Sequence, residues 1–353
     1  MFLRAGQAAD SARFLPPPFA FSAGAARLST LEDLTEIEPP KPSGRKWLFL
    51  AAKLLIIGAV AWGIRGTLAD GVEQLRHATF DLQWGWLVVS AVVYILANLP
   101  CGWFWYYSMH ALGQQTPFFT AFRAYVIGHL GKYVPGKALV VIMRAAFVRS
   151  QTADGGVAAA CVFLETLTMM ASGAAFAAVV LAFNFADHWK FSLLAIGLAA
   201  ITFGPTLPPI FRFIVRRLGV GRRDPNIDAK LRGLNARVVI IGWIATLASW
   251  VLYGVSLWAV LKGIGIDTFT LAESIVALTA TSALAVVAGF VSLIPGGFGV
   301  RDAVLIEMLR PFLAATDVGS VEAAALSTAV LLRLVWLVAE VVAAAIFYFA
   351  RRR

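Results

Sequence analysis

The residues with chemistry to offer are few, and most of them are basic. Lys132, Lys137 and Arg144 surround a Pro-Gly break at Pro135 and Gly136, and Arg301 and Asp302 follow a second break at Pro295, Gly296 and Gly297. A helix that restarts after such a break presents unpaired N–H groups and a partial positive charge. That arrangement suits an anion such as a phosphate. Lys137 and Arg144 are seven residues apart and share a helix face. With Lys132 and Arg123 they make a basic cluster that reads in two ways. It either anchors the chain at the headgroup layer by snorkelling or captures a lipid phosphate headgroup. Arg301 reads either as a headgroup ligand or as the partner of a carboxylate. Asp302 either pairs with a base or caps the helix start.

The setting for these groups is set by composition. The 353 residues are 59% hydrophobic and 14% charged, with a mean hydropathy of +0.77, which excludes a soluble globular protein. The net charge of +10 would suggest nucleic acid in a soluble chain. Here the basic residues lie between apolar runs, where they face anionic headgroups and fix orientation, so no nucleic-acid partner is expected. Cys101 and Cys161 sit within apolar runs as small buried side chains. The histidines His77, His110, His129 and His188 show no ligand spacing, and neither a metal nor a cofactor is expected.

Glu165, Arg333 and Glu340 fall inside apolar segments, where a charge at the bilayer centre costs about 2.5–3.5 kcal/mol. They should face a polar cavity. Arg333 and Glu340, seven apart on one face, read as an internal ion pair. The functional alternative is that Glu165 or Glu340 takes up a proton and couples transport to the proton gradient.

The elements that position these groups follow from hydropathy and breakers. Residues 1–45 hold Pro16 to Pro18, an acidic patch and a second proline cluster, and read as a disordered cytoplasmic tail. Three prolines interrupt the one early apolar stretch, so no signal peptide is expected. Residues 46–353 form the membrane domain. Six spans are expected near 47–64, 84–112, 157–183, 189–215, 238–261 and 321–350, each close to the roughly 20 residues a bilayer requires. Trp84, Trp86, Trp103, Trp105, Tyr106 and Tyr107 read as interfacial belts. Pro205, Pro208 and Pro209 should kink the fourth span.

The two Pro-Gly segments, within 116–149 and 271–309, read as re-entrant helical hairpins. Residues 272–294 are also long enough to cross alone. The basic loop from Arg216 to Arg237 and the terminal Arg351, Arg352 and Arg353 place both termini in the cytoplasm of a cell's inner membrane. Residues 84–184 and 237–350 then repeat one plan, span, hairpin and span, in opposite orientations. The fold class is an all-α polytopic bundle of about six spans and two re-entrant hairpins in an inverted repeat. Such repeats, with helices broken at midplane, are a recurring plan for alternating-access transporters.

The segment SLIPGGFGVRDAVL resembles the PGG-x-G-x-R-E motif of the flippase-like transmembrane domain of lysylphosphatidylglycerol synthases and related stand-alone proteins, with Asp302 in place of glutamate. GKYVPGKALVVIMR resembles that family's earlier Pro-Gly segment, and Arg333-Leu334 the Arg-Leu of its last helix. The resemblance runs from about Trp47 to Ala350. It departs in the third span, where Glu165-Thr166-Leu167-Thr168-Met169 keeps only the glutamate of the family's Glu-Arg-x-x-Asp. With no aminoacyl-transferring domain expected after Arg353, the resemblance implies lipid translocation or an accessory membrane role and no enzyme activity.

The function expected is therefore translocation of an anionic lipid, a phospholipid or a polyprenyl-phosphate-linked lipid, with the hairpins as gates. The alternatives are a non-transporting scaffold for lipid or envelope biosynthesis enzymes, and a lipid-linked glycosyltransferase using Asp70 and Glu73. Anionic membrane lipids are the expected partners, with lipid or envelope biosynthesis enzymes as further candidates. Nothing in the sequence fixes the oligomeric state.

Overall fold

The computed structural model describes residues 82–133, 138–149, 153–184, 189–217, 227–292, 294, 297, 299–316 and 319–350. The expected tail, the expected first span at 47–64, and Pro135, Gly136, Lys137, Pro295, Gly296 and the terminal arginines lie outside the described residues.

In chain order the helices are α1 (Trp84–Ala111), α2 (Phe118–His129), α3 (Ala138–Val148), α4 (Gly155–Asn184), α5 (Trp189–Phe203), α6 (Pro208–Arg217), α7 (Ile227–Arg232), α8 (Ala236–Gly263), α9 (Leu271–Val291), α10 (Val300–Leu313) and α11 (Val321–Phe349). A 3-10 turn at Leu130–Tyr133 extends α2. The chain is an all-α polytopic membrane bundle. Among the described residues five helices, α1, α4, α8, α9 and α11, are long and apolar enough to cross a bilayer. The fourth expected span breaks at its prolines into α5 and α6, which are bent by 72°.

Local sequence sets the helix starts. Asp154 Oδ1 accepts from the Val157 N–H at 2.9 Å ahead of α4, and Asn235 Oδ1 accepts from Val238 at 3.2 Å ahead of α8. Before α9, Thr270 and Glu273 cap each other's N–H groups in a reciprocal box. Each satisfies a donor that hydrocarbon could not.

The two halves share one construction. The order α1, α2–α3 hairpin, α4 is matched by α8, α9–α10 hairpin, α11. The packing also matches: α2 lies on α3 as α9 lies on α10, α4 on α9 as α11 on α2, and α1 on α11 as α8 on α4. On the axis of this exchange α1 and α8 run antiparallel. The Gln83 N–H bonds to the Gly263 carbonyl at 2.8 Å, Ser90 Oγ lies 2.8 Å from Ser256 Oγ, and Cys101 Sγ donates to Ser249 Oγ at 3.2 Å. An antiparallel crossing at the axis means that the halves are inverted relative to each other.

The hairpin arms differ in length. The arms α2 and α3 have 12 and 11 residues, whereas α9 has 21 and α10 has 14. At about 1.5 Å per residue only α9 reaches the length of a crossing.

The belt expectation needs one correction. Trp84 is 70% exposed, but Trp105 is fully buried and its Nε1 donates to the Ala158 carbonyl at 3.4 Å. Trp105 lies against Tyr125, and its ring faces the Arg144 guanidinium. Helix spacing turned this ring to the core while its neighbour Trp103 stayed outside.

Candidate functional site

Each hairpin closes because glycines let backbone meet backbone. A Cβ on Gly128 would stand 2.6 Å from Arg144 Cγ, and one on Gly131 would stand 2.7 Å from the Val140 backbone nitrogen. The end of α2 and its 3-10 turn therefore lie directly on α3, which brings His129, Lys132 and Arg144 together. In the second hairpin Gly289 and Gly297 make the same kind of contact. A Cβ on Gly289 would lie 2.9 Å from Arg301 Cβ and 3.2 Å from Gly297 Cα. Gly297 and Gly299 hold φ of +69° and +79°, in the left-handed region that a Cβ disfavours.

The hairpins meet over a cavity of about 230 Å³. Lys132, Arg144 and His129 line it from the first hairpin, Gly297 and Arg301 from the second, and Glu165 from α4. Tyr94, Tyr125, Tyr253 and Trp336 supply aromatic walls. Phe163, 49% exposed, brings the cavity to the outer surface of the bundle.

The charges are arranged as three ion pairs and one remaining cation. Arg144 Nη1 bonds to Glu165 Oε2 at 2.9 Å, with side chains only 3% and 4% exposed. Tyr125 Oη donates to the other Glu165 oxygen at 3.5 Å. Lys132 pairs with Glu340 Oε1, which also accepts from Tyr94 Oη. Arg333 pairs with Asp302. The Arg301 guanidinium lies 5.0 Å from the centre of the Trp336 ring, within cation–π range. Its Nη2 is buried without a hydrogen-bond partner. Four cations and three carboxylates leave this cluster one positive charge in excess among the described residues.

Two sequence expectations change here. Arg333 and Glu340 do not pair with each other, because seven residues separate them by about 10.5 Å along the helix. Arg333 instead holds α10 through Asp302, and Glu340 holds the first hairpin through Lys132. The start of α10 is also less open to an anion than expected, since Asp302 Oδ2 already accepts from the Gly299 N–H at 3.1 Å. Asp302 thus both caps the helix and pairs with a base.

Of the residues singled out from sequence, Lys132, Arg144, Glu165, Gly297 and Arg301 line the cavity. Glu340 bonds directly to one of them, and Asp302 adjoins Arg301. Arg123 is placed elsewhere, its Nη2 donating to the Tyr348 carbonyl at 3.1 Å. Five contributors were not singled out: Tyr94, Tyr125, His129, Tyr253 and Trp336. Tyr94 stacks on Trp336 at 4.5 Å, and Tyr253 lies tilted against the same ring at 5.2 Å. Trp336 Nε1 donates to Ser256 Oγ at 2.9 Å, which fixes the ring beneath Arg301. The signal that could have found Trp336 was its spacing, one turn from both Arg333 and Glu340.

Comparison with protein families places residues 49–344 on the model described as the lysylphosphatidylglycerol synthase TM region. Comparison with curated proteins gives no match.

Proposed function

The chain belongs to the lysylphosphatidylglycerol synthase TM-region family, a membrane family of lipid-related function, and on that premise we propose that it translocates an anionic lipid between leaflets. The observation that carries this reading is Arg301. Among the described residues it is the cation of the cavity cluster without a carboxylate, and its buried Nη2 has no acceptor among them. A phosphate oxygen of a lipid headgroup would supply one.

The remaining geometry supports the same chemistry. The cavity has room for a headgroup but not for acyl chains, so the tails would stay in the bilayer beside Phe163. Arg301 would hold the phosphate by charge-assisted bonds, while Trp336 keeps the guanidinium in place. Lys132 and Arg144, each neutralised by a glutamate, set the shape of the site and would add little net charge. Helix α11 closes both hairpins, one through Glu340 and the other through Arg333. Release of one pair at a time would open the cavity to one leaflet and then the other. The positive-inside rule supports an inner-membrane location with cytoplasmic termini.

The test is a proteoliposome assay that follows a fluorescent anionic phospholipid by quenching of the outer leaflet. Arg301→Gln is expected to lower translocation at least tenfold, about 1.4 kcal/mol or more of headgroup binding. Arg301→Lys should retain part of it. Equal rates for wild type and Arg301→Gln would refute the assignment.

A further inference from the structure

His129 sits between two of the ion pairs. Its Nδ1 lies 3.3 Å from Arg144 Nη2, and its Nε2 lies 3.2 Å from Lys132 Nζ. Guanidinium and ammonium groups only donate, whereas a neutral imidazole has one lone pair and one N–H. One of these contacts must therefore set an N–H against a donor. The carboxylate acceptor Glu340 Oε1 lies 3.7 Å from Nε2. The consistent arrangement puts the ring proton on Nε2, toward Glu340, and leaves Nδ1 to accept from Arg144.

The ring must then be neutral in the empty cavity. A second proton on Nδ1 would face the Arg144 donor and place a third cation between Lys132 and Arg144. The other charged or titratable groups around it are Glu165 behind Arg144, Arg301 across the cavity, Tyr94 on Glu340, Tyr125 stacked at 6.1 Å and Tyr133 beside Lys132. Glu165 and Glu340 each hold a cation already. An arriving monoanionic headgroup changes this balance, because it brings both a negative charge and acceptor oxygens to the cavity that His129 lines.

We propose that His129 is a proton-binding site and that the cavity takes up one proton with each anionic headgroup. This rests on the anion-binding reading of Arg301. The bond formed is N–H at Nδ1, with the proton drawn from water. The contact released is that between Nδ1 and Arg144, while Arg144 stays on Glu165. The new N–H donates to a headgroup oxygen. One monoanion and one proton together leave the charge of the cluster unchanged, so the loaded site carries the same charge as the empty one. Lipid movement of this kind is driven by a proton gradient without a net electrical cost.

The experiment is calorimetry of the purified full chain in detergent with dihexanoylphosphatidylglycerol, whose phosphodiester keeps its charge near neutral pH. It is run in two buffers of different ionisation enthalpy over a pH series. Wild type is expected to take up a proton on binding, approaching one per headgroup where His129 is neutral in the free protein. Affinity should rise by up to tenfold per unit fall in pH, the linkage limit for one proton. His129→Gln should bind with equal heats in both buffers, and His129→Asn provides a second neutral replacement if the first does not hold its fold.

Binding by wild type without proton uptake would overturn the proton site and leave the anion reading standing. Absence of binding would remove both. Uptake that persists in His129→Gln would also overturn the assignment, moving the proton to Glu340, whose Oε2 is buried without a partner.

Discussion

Removing Arg144 and Glu165 together should cost clearly less than the two single removals added. The two side chains are 3% and 4% exposed and bonded at 2.9 Å. Breaking one member of such a buried pair leaves an uncompensated charge and costs about 3–5 kcal/mol. Arg144→Met also loses a cation–π contact with Tyr125 at 3.9 Å, about 0.5–2 kcal/mol. Glu165→Met leaves the guanidinium stranded and loses the Tyr125 bond. In the double variant neither charge remains, and apolar side chains of similar volume fill the space. Its destabilisation should therefore fall short of the sum of the singles by about 2–3 kcal/mol. The assay is reversible unfolding in mixed micelles by SDS titration, followed by circular dichroism, for all four proteins. Because the cation–π loss occurs in both variants that lack Arg144, it cancels in the cycle. Single effects that add to within about 0.5 kcal/mol would refute the pairing as an energetic unit.

Two further perturbations test how the site is held. Gly289→Ala places a Cβ 2.9 Å from Arg301 Cβ and should cost about 1–3 kcal/mol by overpacking, while weakening headgroup binding because Arg301 must shift. An unfolding midpoint and headgroup affinity equal to wild type would rule this out. Ser256→Ala removes the acceptor of Trp336 Nε1 at 2.9 Å and the partner of Ser90. A loss of about 1–3 kcal/mol is expected, with a shift in tryptophan emission as the indole loses its bond.

The parts of this structure legible in the sequence are those set by local signals. Apolar runs of span length, the Pro-Gly breaks and the capping residues define where helices start and stop, and their order reveals the repeat. Which side chains meet across the bundle was not legible. The long helices are apolar on all sides, so no amphipathic stripe says which face turns inward. That is why Trp105 read as an interfacial ring, and why Glu340 was matched to Arg333 on its own helix. Its actual partner, Lys132, lies 208 residues away. His129 was missed for a related reason. It lacks metal-ligand spacing, and its position between two cations arises only when α2 folds onto α3 and docks on α11.

On the transport reading proposed above, the double attachment of α11 sets how tightly the membrane stays sealed. If each pair, Lys132 with Glu340 and Arg333 with Asp302, resists release by about 2 kcal/mol, a typical value for a charge-assisted bond, one gate stands open in about one molecule in thirty. With the two pairs releasing independently, a state with both released would be about a thousandfold rarer than the closed one. A cell that holds a proton gradient across this membrane would lose little of it through the protein between turnovers.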